Sequence, residues 1–104
     1  MDTQTLKEIL RREMMGYAKK GANGAGYFTV NPDDTVFGVL DVYVVHGERY
    51  ADASLIARII DNRVIIELDK NDKTLFDALL QAGVPREQIV LAYAGEPAPV
   101  EMLV

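Results

Sequence analysis

The chain has 104 residues, 49% hydrophobic and 26% charged, a balance that gives one domain with a real core and excludes a disordered tail. It contains no cysteine and a single histidine, which excludes disulfides, thiolate metal sites and histidine-pair metal sites. The formal net charge of −5 denies it the broad basic surface that drives nucleic-acid binding.

The first segment places Leu6, Ile9, Leu10, Met14, Tyr17 and Ala18 at steps of three and four, the spacing of one helical face. Thr5-Leu6-Lys7-Glu8 fits a capping box, and Thr3 is a competing cap. Gly21 and Gly24-Ala25-Gly26 are the expected stop, since glycine accepts the left-handed conformation of a C-cap. Lys7, Arg11, Arg12, Lys19 and Lys20 all fall in this segment, as either a solvated helix face or a local basic patch. Met1-Asp2-Thr3-Gln4 lacks the basic-then-apolar layout of a signal peptide. No apolar run approaches the roughly 20 residues that span a bilayer. The expectation is a soluble, cytoplasmic protein without membrane contact.

Tyr27–Val30 reads as a strand, followed by the turn Asn31-Pro32-Asp33-Asp34 with proline at its second position. Val36–Val45 is apolar on both alternations, the pattern of a strand buried on both faces. Asp41 interrupts it, and is expected either to face solvent at a sheet edge or to pair with an arginine such as Arg58. His46-Gly47-Glu48-Arg49 is a polar break, read as a loop.

Leu55–Ile60 and Arg63–Leu68 form a hairpin around Asp61-Asn62, two residues that tolerate positive φ. In that register Ile60 faces Arg63, Ile59 faces Val64 and Ala57 faces Ile66. One face then carries Leu55, Ala57, Ile59, Val64, Ile66 and Leu68. The other carries Ile56, Arg58, Ile60, Arg63, Ile65 and Glu67, with Arg58 able to reach Glu67 diagonally. On this mixed face Ile56, Arg58, Ile65 and Glu67 are the candidate interface residues; the alternative is that the first helix or a loop covers them.

Asn71 or Asp72 is the expected cap of a second helix, with Leu75, Phe76, Leu79 and Leu80 as its apolar stripe. Gly83 ends it, Val84 sits where a Schellman motif packs against Leu79, and Pro85 blocks continuation. Ile89–Tyr93 is a last strand, and Val100–Val104 a tail. The order is helix, about four mainly antiparallel strands, helix, strand: a single α+β domain over residues 1–104 with both helices on one sheet face.

His46 has no partner histidine, and Ser54, the sole serine, starts a strand without a nucleophile-elbow motif around it. Asp33, Asp34, Asp41, Asp61, Asp69 and Asp72 offer carboxylates, but Asp69-Lys70-Asn71-Asp72 lacks the glycine and spaced glutamate of a calcium loop. The glycines at 21–26 follow a helix and precede a strand, the reverse of a phosphate-binding loop. The residues assign no catalytic, cofactor or metal site.

From Asn71 to Tyr93 the chain runs through a helix into Ala82-Gly83-Val84-Pro85-Arg86 and then Ile89-Val90-Leu91. With the preceding hairpin, the stretch from Leu55 to Glu96 resembles the XisI-like family of small, mostly cyanobacterial proteins. The chain departs from the pattern at Ile56, where members carry a nearby histidine, and at Ile65, near their tryptophan. It therefore resembles a divergent member. The family is named for a factor controlling excision of a DNA element, and members often occur beside XisH, a protein of nuclease-like appearance. The resemblance implies an α+β fold that tends to dimerise, and a non-catalytic accessory role exercised by binding a XisH-like partner. Two other readings are a DNA-binding excision factor in its own right and a small ligand-binding or enzymatic domain. An acidic chain makes any contact with nucleic acid at most indirect.

Overall fold

A computed structural model describes residues 1–99. The expected tail at 100–104 lies outside the described residues. The first helix, α1 (Thr3–Met15), is capped by Asp2, whose carboxylate accepts the Thr5 N–H at 2.8 Å. Thr5 is therefore not the cap. It lies inside the first turn, and the carboxylate just ahead of the helix satisfies its free N–H. Thr3 turns away and donates its hydroxyl to Asn62 Oδ1 at 2.7 Å. The helix also ends earlier than expected, at Gly16 rather than Gly21. Residues 19–26 fold back on themselves, with the Gly26 N–H donating to Lys19 O and the Gly21 N–H to Gly24 O.

Five strands follow: β1 (Gly24–Val30), β2 (Val36–Val45), β3 (Glu48–Ile60), β4 (Arg63–Asp69) and β5 (Ile89–Leu91). They lie in sequence order, antiparallel from β1 to β4, with β5 parallel to β4. The helix α2 (Leu75–Gln81) lies on the crossover that a parallel neighbour requires. The Asp61-Asn62 hairpin has the expected register, and both turn residues have positive φ. A bulge beside Ala57 then sets Leu68 opposite Ile56 rather than Leu55.

His46 and Gly47 also have positive φ, and they alone make the β2–β3 turn. The expected loop at 46–49 is half that length, because Glu48 and Arg49 already pair with Val45 and Val44. The β1–β2 turn is held by Asn31, whose Oδ1 accepts the Thr35 and Val36 N–H groups. It is tied to α1 by Lys7 Nζ donating to Asp33 O and by the Arg11–Asp34 ion pair at 2.7 Å.

The cap of α2 is Thr74, not Asn71 or Asp72. Asp69 organises the loop before it, accepting from the Asn71 N–H and, at 2.8 Å, from the Leu75 N–H. The helix ends in a Schellman motif: Gly83 has φ 95°, Val84 donates to Leu79 O and Gly83 to Leu80 O. Leu80 is exposed, and Ala78 takes its place on the buried stripe. The last strand stops at Leu91, where Ala92–Ala94 coil into a 3-10 turn.

Leu6, Leu10 and Met14 of α1 and Leu75 and Leu79 of α2 pack on Phe37, Val39, Leu55, Val64 and Ile66, all fully buried. Each such side chain contributes about 1.5–3 kcal/mol of apolar burial. Both helices share this face of the sheet. β2 is not buried on both sides: Phe37 and Val39 are inside, whereas Val36, Leu40, Val44 and Val45 are exposed.

Candidate interaction surface

His46 is exposed at its turn, and the Ser54 carbonyl accepts the Lys70 N–H on β3. Asp41 faces Asp52 across the β2–β3 pair and lies close over Gly26. Arg58 is out of its reach, because Arg58 sits opposite Val36 at the other end of β2. Among the described residues no three His, Asp or Glu side chains gather where they could hold a metal, and no buried side-chain polar atom lacks a partner. A cleft of about 360 Å³ lies where the end of α1 meets the loop before α2, lined by Glu13, Tyr17, Lys19, Asp72 and Lys73 among others. There the Tyr17 hydroxyl donates to Lys73 O at 2.8 Å. Burial, and then the carboxylates of Asp69, Glu13 and Asp77, push its phenol pKa up, which keeps it a donor.

The basic side chains of α1 are largely spent within the fold. Lys7 and Arg11 hold the β1–β2 turn, Arg11 also lies over the Phe28 ring, and Arg12 pairs with Glu13. Lys7, Arg11 and Arg12 thus each have a partner within the fold, while Lys19 and Lys20, beyond the helix, are exposed.

On the sheet face away from the helices, Arg58 and Glu67 form the expected diagonal ion pair at 2.8 Å. Ile56 is half-buried beside them. Ile65 is fully buried, set between Arg58 of β3 and Val90 of β5 in the ladder, so it offers no surface of its own. The apolar surface of this face lies further along, at Tyr27, Val36 and Leu40, all exposed. Tyr27 and Leu40 are direct cross-strand partners. A shallow trough runs beside them, lined by Thr29, Val36, Gly38 and Ile56.

Beyond Asp41 the two central strands leave the helices behind and continue as an arm. Residues Val44–Asp52 are exposed throughout. β1 still covers the outer edge of β2, since the Val44 N–H donates to Asn23 O at 2.8 Å. On the other side β4 covers β3 only as far as Ser54, so Glu48–Ala53 has an open edge. Val44 points its amide away from β3, and its partner Arg49 therefore points away from β2; alternation gives Ala51 and Ala53 the same outward direction. Tyr43 and Tyr50 stack across the arm at 5.3 Å between centroids, 13° from parallel. Tyr50 donates to Glu48 at 2.9 Å, and Tyr43 lies 3.4 Å from Asp52. The Asp52 carboxylate, ahead of burial, raises the Tyr43 phenol pKa. Sequence patterning missed this half of β3 because Glu48–Ala53 has no apolar alternation. The available signal was the His46-Gly47 pair, a two-residue hairpin turn followed by an aromatic.

The stretch after α2 is a structural corner. Arg86 donates to Ile89 O at 2.7 Å and to Glu96 at 2.6 Å, while its guanidinium lies 5.0 Å from the Phe76 ring centre. Glu96 in turn accepts the Leu91 N–H, and these two bonds hold its carboxyl below the usual range. Gln88 donates to Asn62 O and Met1 O, joining this corner to the hairpin and to the start of α1.

Comparison with known proteins agrees with this architecture. The XisI protein family profile matches residues 2–98. Two solved structures from Anabaena variabilis ATCC 29413 share the fold. One, a XisI-like protein, superposes with a TM-score of 0.68 at 18% identity, over 86% of this chain and 82% of that one. The other, the fdxN element excision controlling factor XisI, gives 0.60 at 19% identity, over 86% of each chain. No curated protein matches. A five-stranded sheet carrying both helices on one face, matched by the family profile over almost its whole length, identifies the chain as a member of the XisI family.

Proposed function

We propose that this protein is a non-catalytic accessory factor that acts by binding another protein, a XisH-like partner, through the sheet rather than through the helices. The observation that carries the reading is the exposed Tyr27–Leu40 pair with Val36, flanked by half-buried Ile56 and the Arg58–Glu67 ion pair. Aromatic and aliphatic side chains in the middle, with a charged pair at the margin, is the layout of a protein-binding patch. Family membership supports a role of the excision-factor kind, and the scattered carboxylates and lone histidine support a role without catalysis.

The test is the light-scattering mass of the chain alone and co-expressed with a XisH-like protein. A stable hetero-complex is expected, weakened by Leu40→Asp, a substitution at an exposed position that leaves the core intact. The masses of the unaltered chain and of Leu40→Asp, each alone, report whether copies pair through the same patch. A mass that is identical in the two samples contradicts the proposal.

A further inference from the structure

We infer that the open edge of the arm, Glu48–Ala53, is a docking strand for an extended, arginine-bearing segment of a partner protein. The inference rests on the protein-binding reading above and names a second contact and its chemistry. Arg49, Ala51 and Ala53 present outward N–H and C=O groups that nothing among the described residues pairs. An added antiparallel strand satisfies such a row directly, and side chains on the two faces then set specificity.

The side chains decide which strand. Asp41–Asp52, Tyr43–Tyr50 and Val45–Glu48 are cross-strand pairs, so three carboxylates and two stacked phenols share one face of the arm, with Lys70 Nζ 4.0 Å from Asp52. A guanidinium is suited to this face: its flat surface stacks on a tyrosine ring and its fork of donors engages carboxylates. A second copy of the chain is not suited. Any two-fold antiparallel pairing that matches the outward amides sets Glu48 and Asp52 of both copies on the same face, and like charges so placed repel. The same charges that block self-pairing admit a basic strand.

The probe is a capped hexapeptide alternating arginine and valine, titrated into the full chain and followed by amide chemical shifts. Shifts confined to the arm, largest at Arg49, Ala51 and Ala53, are expected. Replacing the peptide's arginines with glutamate abolishes them. Ala51→Pro removes one outward N–H at an edge position where proline is tolerated, and eliminates binding with the remaining spectrum unchanged. Combining Glu48→Gln with Asp52→Asn weakens binding about tenfold. Unshifted amides, shifts centred away from the arm, equal binding of the glutamate peptide, or unchanged binding by Ala51→Pro would each overturn the inference. Co-expression separates the two proposals. A complex of undiminished strength with Ala51→Pro removes the docking edge and leaves the accessory role. No complex with the unaltered chain removes the accessory role, and the peptide titration then judges the edge by itself.

Discussion

The two halves of β2, Val36–Leu40 and Asp41–Val45, have much the same apolar content and opposite fates. In the first half, Phe37 and Val39 face Ala57 and Leu55 beneath α1, and all four are fully buried. In the second half, Val44, Val45 and the cross-strand Tyr50 are exposed, held by backbone pairing, ring stacking and the Tyr50–Glu48 hydrogen bond. Hydrophobicity alone therefore does not say where the core lies. What separates the halves is the reach of α1 and α2 over one and not the other. Apolar side chains kept outside that reach become surface that a partner can use.

The sharpest way to break this comparison is to truncate one residue in each half. Phe37→Ala should destabilise the fold by about 3–5 kcal/mol, since it empties a closed site, whereas Val44→Ala should stay within about 0.5 kcal/mol. Urea unfolding of both variants measures the contrast, and equal losses would abolish the distinction between core and arm.

Gly24 is paired with Tyr43 of the arm, and a Cβ there would come within 2.2 Å of Val42 O and 2.6 Å of Tyr43 Cα. Those are backbone atoms and cannot step aside. Gly24→Ala should cost about 1–3 kcal/mol and release the end of β1 from the arm, seen as faster amide exchange at Val44. In the packed half, Gly83→Ala forces a side chain into the left-handed region at φ 95° and should cost about 1–2 kcal/mol. A smaller substitution effect concerns the helix start. Asp2→Ala should lose about 1 kcal/mol and Thr5→Ala only a few tenths, a ranking that inverts if Thr5 were the cap.

Acid provides a test that leaves the arm aside. Asp2 and Glu96 both have folded pKa values below their ordinary 3.8 and 4.5, the first through the Thr5 N–H, the second through the Leu91 N–H and Arg86. Their contribution is therefore complete above those ordinary values and is lost as pH falls through the lower folded ones. The thermal midpoint should drop on acidification, and Glu96→Gln should flatten part of that drop.

Much of this fold was legible in the sequence. The Asp61-Asn62 hairpin register, the Schellman end of α2 and the placement of both helices over one sheet face follow from local pattern, where side-chain period and turn chemistry agree. The misread features were decided elsewhere. The cap of α1 depended on Asp2, whose carboxylate takes the Thr5 N–H and starts the helix three residues before the expected capping box would. The two-sided reading of β2 failed because both helices lie on one face of the sheet, which leaves Val36 and Leu40 exposed on the other. The interface candidates divided on the face away from the helices: Ile56, Arg58 and Glu67 keep some surface, whereas Ile65, set between β3 and β5, is enclosed. Arg86 and Glu96 join α2's end to β5 through contacts that only the folded chain brings together.

The central claim is that this XisI-family protein works by presenting sheet surface to a protein partner. Hydrogen exchange of the co-expressed complex against the free chain tests it most directly. Slowed exchange at Arg49, Ala51 and Ala53, together with Val36–Leu40, is the predicted result. Exchange that is the same in both samples, or slowed only along α1 and α2, would contradict the account.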